Sequence, residues 1–376
     1  MLFDFATASR IRFGPGTARE LAAAAASLGR RALVVTGRSS VRFAGLVDGA
    51  RFCISSEPTI ELIRQGLGFA RTEGCDVVVA VGGGSAIDAG KALAALLTNS
   101  GDPLDYLEVV GRGQPMENPS APFIAVPTTA GTGSEVTRNA VLASPEHGVK
   151  ASLRSASMLP RLALVDPELA FDLPAAVTAS TGLDALTQLI EPYVCSRANA
   201  MTDLYCVEGM RAACTALPRA FANGRDAEAR QAMAWASLLG GLALANAGLG
   251  AVHGFAAPIG GRFPAPHGAV CAAILPHAIR GNVRALRERA PESDSLRRYQ
   301  TVAQLLTGNS YAAAEDAAVF VADLCERLQI PPLRTYGVGE SDVAELAEKA
   351  GHASSMKANP IALTQAELRE MVSAAI

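Results

Sequence analysis

The first 170 residues alternate between short runs that are apolar at every position and longer stretches with the residue preferences of helices. RALVVTGRSS (31–40), CDVVVAVGGGS (75–85) and PFIAVPTT (122–129) each hold a core without a polar face. That pattern belongs to strands buried on both sides of a parallel sheet. Helices are predicted over 17–29, 59–73 and 86–97, and a further apolar run, LALVDPEL (162–169), follows a polar, hairpin-like region. Strand and helix in alternation predict a doubly wound α/β sheet.

From about residue 171 the strand signal largely disappears. Helices are predicted at 174–195, 200–221, 226–247, 268–286, 295–306, 311–328, 340–350 and 364–375. With 376 residues the chain exceeds what one core usually supports. The expected division is an α/β domain at 1–170 and an all-helical domain at 171–376. The uncharged stretch 232–252 is long enough to cross a bilayer. It is nevertheless built from glycine and alanine more than leucine, contains Ser237 and Asn246, and lacks flanking basic or aromatic anchors. A helix packed closely among other helices is expected instead, with no membrane span. It leads into GLGAVHGFAAPIGGRFPAPHG (248–268), read as the end of that buried helix followed by a Gly/Pro loop, with His253 and His267 in apolar surroundings.

Charge narrows the partners. A net charge of −3, no basic block and 5% aromatic residues argue against nucleic acid or an acidic membrane surface and leave a small molecule. The seven cysteines are scattered without a C-x-x-C spacing, as expected of reduced thiols in a cytoplasmic protein, and the first residues lack the apolar core of a signal peptide.

Candidate chemistry begins at the strand ends. Gly82, Gly83, Gly84 and Ser85 stand between a buried strand and a helix, where glycine lets the backbone approach a phosphate and the helix start favours an anion. The loop is not G-x-G-x-x-G, because Ile87 occupies the third glycine position, nor a P-loop, because Ala92 follows Lys91. PTTAGTGSE (127–135) offers the hydroxyls of Thr128, Thr129 and Thr132 in a second small-residue loop. Two such loops at strand carboxyl ends suit a dinucleotide. The earlier strand runs into Gly37, Arg38 and Ser39 with no carboxylate to bond a ribose 2′-hydroxyl, which favours NADP over NAD. Lys150 could supply a cation to a ribose or phosphate.

In the helical region Asp184 and Gln188 are spaced i, i+4 and share a helix face. A buried carboxylate calls for a cation. Asp184, His253 and His267 together make a ligand set for a catalytic metal with open positions, one able to stabilise an alkoxide during hydride transfer. His277 is assigned to packing or to support of the site, and His147 and His352 no role.

GGGSAIDAGK, PTTAGTGSEVT, LALVDPEL, GLDALTQLIEPYV and AVHGFAAPIGGRFPAPHGAV together strongly resemble the iron-containing (group III) alcohol dehydrogenases, over essentially the whole chain. The resemblance implies the dehydroquinate synthase-like fold: an α/β N-terminal doubly wound nucleotide-binding domain plus an all-α C-terminal domain, with the active site in the cleft between them. It implies NAD(P) bound by Gly82, Gly83, Gly84 and Ser85 at the pyrophosphate, by Thr128, Thr129 and Thr132 further along, and by Lys150 near the nicotinamide ribose; Asp88 of the first motif is counted with them. It implies Fe²⁺ or Zn²⁺ on Asp184, His253 and His267, with Gln188 where the family carries another histidine. Ala257 likewise stands where many members carry a histidine near the nicotinamide.

The expected protein is a cytoplasmic NAD(P)-dependent alcohol dehydrogenase or aldehyde/ketone reductase, a dimer or larger homo-oligomer, acting on a small alcohol, aldehyde or oxo-acid. Gln188 opens an alternative, a metal-independent oxo-acid reductase of the maleylacetate type, with Arg138, Arg154 or Arg262 on the substrate carboxylates. A dehydroquinate-synthase-like lyase and a non-catalytic NAD-binding protein are further alternatives.

Overall fold

The computed structural model describes residues 2–376, and the side chains of Ser39, Ser40, Val41 and Ala44 lie outside the described residues. The chain forms two compact units. One comprises Ala6–Thr129 and Gly133–Phe171; the other comprises Asp172–Ile376 with Ala130–Thr132 and the N-terminal residues up to Phe5.

The first unit contains strands β1 (Ile11–Phe13), β2 (Ala32–Gly37), β3 (Ala50–Ile54), β4 (Val77–Gly82), β5 (Phe123–Pro127), β6 (Asn139–Ser144), β7 (Val149–Arg154) and β8 (Leu162–Val165), with helices α1 (Leu21–Leu28), α2 (Ile60–Thr72), α3 (Gly84–Thr98) and α4 (Pro103–Tyr106). Six strands make a parallel sheet in the order β1-β8-β5-β4-β2-β3, while β6 and β7 pair as an antiparallel hairpin. The apolar runs are explained by burial on both faces. Val34, Val79, Val81, Ile124 and Val126 pack with Leu21 and Ala25 of α1. Their alternating neighbours Leu33, Val35, Val78, Ala80 and Phe123 pack with Ile63 and Leu67 of α2 and Leu93 and Leu96 of α3.

Two strands escape the sequence pattern. β1 is three residues long, too short to leave a periodic signal, and pairs with β8. β3 is an edge strand with Arg51 and Cys53 exposed, so it lacks the uniform apolarity of the central strands. The order places a switch point between β2 and β4: β3 lies on one side of β2 and β4 on the other. Their carboxyl ends carry Gly37-Arg38 and Gly82-Gly83, where ligands of doubly wound sheets bind.

The second unit is helical: α5 (Ala175–Val194), α6 (Ala200–Ala222), α7 (Ala227–Asn246), α8 (Ala251–Arg262), α9 (His267–Arg289), α10 (Asp294–Thr307), α11 (Asp316–Arg327), α12 (Val343–His352) and α13 (Gln365–Ala374). Small residues set its spacing. A Cβ on Gly182 would fall 2.2 Å from Leu217 Cδ1, and one on Gly209 would fall 2.4 Å from Leu189 Cδ2, so only glycine allows α6 this close to α5. Among the described residues no single helix is long and apolar enough to cross a membrane; α7 and α8 pass that test only as a pair bent by 97°.

The segment expected as a Gly/Pro loop is largely α8. Its start depends on residues remote in sequence, since Asn359 Oδ1 accepts from Ala251 N–H at 3.1 Å and Glu191 Oε1 from Val252 N–H at 2.7 Å. Two donors that a helix start otherwise leaves unpaired are thereby satisfied.

Candidate functional site

On α5, Asp184, Gln188 and Glu191 follow one another at helical spacing, all buried. His253 lies in the first turn of α8, and His267 opens α9 with Cys271 one turn later. Asp184 Oδ1 stands 3.6 Å from His253 Nε2 and 3.8 Å from His267 Nε2, and Cys271 Sγ stands 3.6 Å from His267 Nε2. One ligand atom from each of these four residues lies within 4.8 Å of every other. Asp184 and Gln188 are 1% and 2% exposed, yet Asp184 Oδ1 and Gln188 Oε1 have no hydrogen-bond partner.

These spacings test whether the residues fit a metal. Ligands at 2.0–2.3 Å around a tetrahedral ion lie about 3.3–3.8 Å apart. Asp184 Oδ1 has that separation from both imidazoles, too long for a good hydrogen bond and suited to a shared cation, and the hydrogen-bonded pair Cys271 Sγ and His267 Nε2 has it as well. The unpartnered buried Oδ1 of Asp184 points the same way, because a buried oxygen costs stability unless something pairs with it. The residues fit a divalent metal.

Glu191 organises the cluster. Its Oε2 accepts from His253 Nδ1 at 2.6 Å while its Oε1 caps α8, which fixes the ring and turns Nε2 toward Asp184. Burial works to lower the basicity of His253, but Asp184 and Glu191 more than offset it and raise the pKa to about 10. Burial likewise opposes ionisation of Asp184, and the charge of His267 with the contacts to His253 and Cys271 holds its pKa below the ordinary value. His267 is the open member, with 37% of its side chain exposed.

Sequence alone does not single out Glu191 or Cys271. Glu191 sits seven positions after Asp184, and Cys271 repeats on α9 the i, i+4 spacing of Asp184 and Gln188. His277 has a buried Nδ1 without a partner, and burial followed by the nearby Arg280 lowers its pKa. Ala257 is exposed one turn beyond His253.

In the first unit β4 ends at Gly82, and Gly83 opens α3 with no side chain capping the helix start. Gly84 and Ser85 occupy its first turn, where backbone N–H groups and the helix dipole favour an anion. Thr128 N–H donates to Gly82 O at 2.9 Å, joining the two small-residue loops, and a Cβ on Gly83 would meet the Thr129 side chain at 3.3 Å. The helix–sheet packing role of a third glycine falls to Gly90, where a Cβ would stand 2.7 Å from both Ala80 Cβ and Phe123 Cε2.

Asp88 is engaged inside the protein. It accepts from Ser134 Oγ and from Val141 N–H, and pairs at 3.1 Å with the fully buried Lys91, which donates to Thr137 Oγ1 and Asn139 O. Lys150 lies on β7 and pairs with Glu57 at 2.6 Å. Gly37 ends β2 and Arg38 is exposed just beyond it; the side chain of Ser39 lies outside the described residues. Thr132 belongs to the stretch Ala130–Thr132 that clusters with the helical unit. Of the arginines considered for a substrate carboxylate, Arg154 pairs with Glu108, and Arg262 with Asp342 and Glu345.

Comparison with known proteins identifies the family. Residues 8–167 match the family described as iron-containing alcohol dehydrogenase, and residues 178–376 the C-terminal part of the Fe-containing alcohol dehydrogenase family. The chain is 36% identical to a 1,3-propanediol dehydrogenase of Klebsiella pneumoniae over 94% of each chain. It is 33% identical to an NAD-dependent methanol dehydrogenase of Bacillus methanolicus over 96% of this chain and 97% of that one. A crystal structure of a 1,3-propanediol oxidoreductase superposes with a TM-score of 0.90 at 35% identity, covering 100% of both chains.

Proposed function

Because the chain belongs to the iron-containing alcohol dehydrogenase family, we propose that it is an NAD(P)-dependent alcohol dehydrogenase that interconverts a small alcohol and its aldehyde or ketone. The observation that carries this reading is the buried, unpartnered Oδ1 of Asp184 facing Nε2 of both His253 and His267. Asp184, His253 and His267 would hold a divalent ion, with Gln188 on the next turn of α5. When bound, that ion polarises the substrate oxygen and favours the charge that develops on it during hydride transfer.

The remaining tasks fall to side chains and backbone. Gly82, Gly83, Gly84 and Ser85 would receive the pyrophosphate at the uncapped start of α3, and Thr128, Thr129 and Thr132 would bond the dinucleotide beyond it. Asp88 positions this region by tying α3 to Ser134 and to β6. Lys150 would turn its ammonium to a ribose in exchange for its exposed partner Glu57. Arg38, exposed beyond the end of β2, favours NADP through its charge. The methyl of Ala257 can carry no proton, so the hydroxyl proton passes to solvent near the partly exposed His267. Reduced, scattered cysteines suit a cytoplasmic enzyme.

Purified protein supplied with Fe²⁺ or Zn²⁺ should bind NADPH more tightly than NADH and oxidise it with short aldehydes. Failure to bind either nucleotide, or to turn over any of a panel of aldehydes and ketones, would overturn the reading.

A further inference from the structure

Resting on the metal-site reading above, we propose that Cys271 is the fourth protein ligand of the ion, its thiolate replacing the imidazole that Gln188 cannot supply. Three observations meet here. Cys271 is fully buried, and its Sγ is one of four ligand atoms lying within 4.8 Å of one another. It stands 3.6 Å from His267 Nε2, the separation of two ligands on one ion. Asp184 Oδ1, a third member of the group, is buried without a hydrogen-bond partner.

The local structure delivers the thiol without strain. His267 and Cys271 are spaced i, i+4 at the start of α9, so both project from one face of the helix. Gln188 lies on α5, one turn beyond Asp184, and offers only a neutral amide oxygen, a weaker donor for a borderline metal. Cys271 approaches from a different helix and brings a full negative charge once its proton leaves to solvent on binding. Asp184, two imidazoles and a thiolate form a softer set than a carboxylate with three imidazoles, and the thiolate shifts preference toward zinc. The site would then be a zinc centre rather than an iron one.

Cobalt tests this without relying on turnover. The full-length protein is stripped with chelator, reloaded with Co²⁺ and assayed for bound metal. One Co²⁺ per chain with a near-ultraviolet thiolate-to-cobalt charge-transfer band is expected, the band vanishing in Cys271→Ser and persisting in Gln188→Ala. Cys271→Ser should also weaken Zn²⁺ binding, measured against a competing chelator, by more than the roughly 10–100-fold that loss of an outer-shell partner costs. Gln188→His in the Cys271→Ser background should restore binding without the band. One bound Co²⁺ with no thiolate band in the unaltered protein would overturn the role of Cys271 while leaving the metal site intact, even if Cys271→Ser failed to fold. Persistence of the band in a folded Cys271→Ser would do the same, and absence of any bound Co²⁺ or Zn²⁺ would overturn the metal site itself.

Discussion

Glu191 holds His253 from behind: Oε2 accepts a hydrogen bond from Nδ1 at 2.6 Å, and Oε1 accepts one from the N–H of the preceding residue, Val252, at 2.7 Å. One buried carboxylate thus starts α8 and orients the imidazole that α8 carries.

Glu191→Gln keeps an acceptor oxygen but removes the charge, and with it part of the basicity of Nε2. A 10–100-fold loss of metal affinity is expected, with the fold retained. Glu191→Ala also leaves the Val252 N–H unsatisfied and an imidazole buried beside Asp184 alone, so it should lower stability by a few kcal/mol as well, about 3–5. Chelator competition and thermal unfolding of the two variants separate the effects. Equal metal affinity in Glu191→Gln and the unaltered protein would sink the orienting role.

In the first unit Gly90 packs α3 directly against the sheet. Gly90→Ala places a methyl 2.7 Å from Ala80 Cβ and Phe123 Cε2, neither of which is the flexible end of a long side chain. Overpacking of this kind costs about 1–3 kcal/mol. Because the uncapped start of α3 lies two turns earlier, the nucleotide should also bind more weakly. Lower Tm together with raised Kd for NAD(P)H is expected; unchanged values for both would show that α3 can shift freely.

Glu135 gives the pH dependence of this unit. It is buried, and burial outweighs its own backbone hydrogen bond and the pull of Lys91 to push its pKa up to about 7 from an ordinary 4.5. In the unfolded chain it ionises near 4.5. Between pH 4.5 and about 7 the folded protein therefore holds a proton that the unfolded chain has released, and stability falls as pH rises through that window. Above it the loss is constant, on the order of 3 kcal/mol. Glu135→Gln is neutral throughout, so its Tm relative to the unaltered protein should rise from pH 5 to pH 7.5. A difference that stays level across that range would refute the buried, proton-holding carboxyl.

How much could be read from the chain depends on where each residue finds its partners. Val34, Val79 and Ile124 advertise the sheet because both faces are buried, whereas Arg51 and Cys53 hide β3 at its edge. His253 was legible as a site residue, but the helix beneath it was not. Its capping groups, Glu191 and Asn359, come from 62 and 106 positions away from His253, and the glycine and proline of 248–268 read locally as a loop. Cys271 was obscured by a different effect. Cysteine spacing along the chain tests for paired cysteines, while its partner here is His267, one helical turn earlier.

The proposed preference for NADP would rest on the carboxyl end of β2, where Gly37 and Arg38 flank the switch point and the last two strand residues, Thr36 and Gly37, are uncharged. A 2′-phosphate brought near Arg38 gains a charge-assisted contact worth about 1.5–3 kcal/mol, a ten- to hundredfold preference, which an unmodified ribose cannot gain. Arg38→Asp reverses the charge and supplies an acceptor for a ribose 2′-hydroxyl. NADPH affinity should fall by at least tenfold while NADH affinity holds or rises, measured by nucleotide fluorescence at fixed ionic strength. Raising salt should weaken NADPH binding to the unaltered protein more than NADH binding, because an exposed guanidinium is readily screened. If Arg38→Asp weakens both nucleotides equally, the guanidinium does not read the 2′-phosphate and the proposed preference for NADP falls.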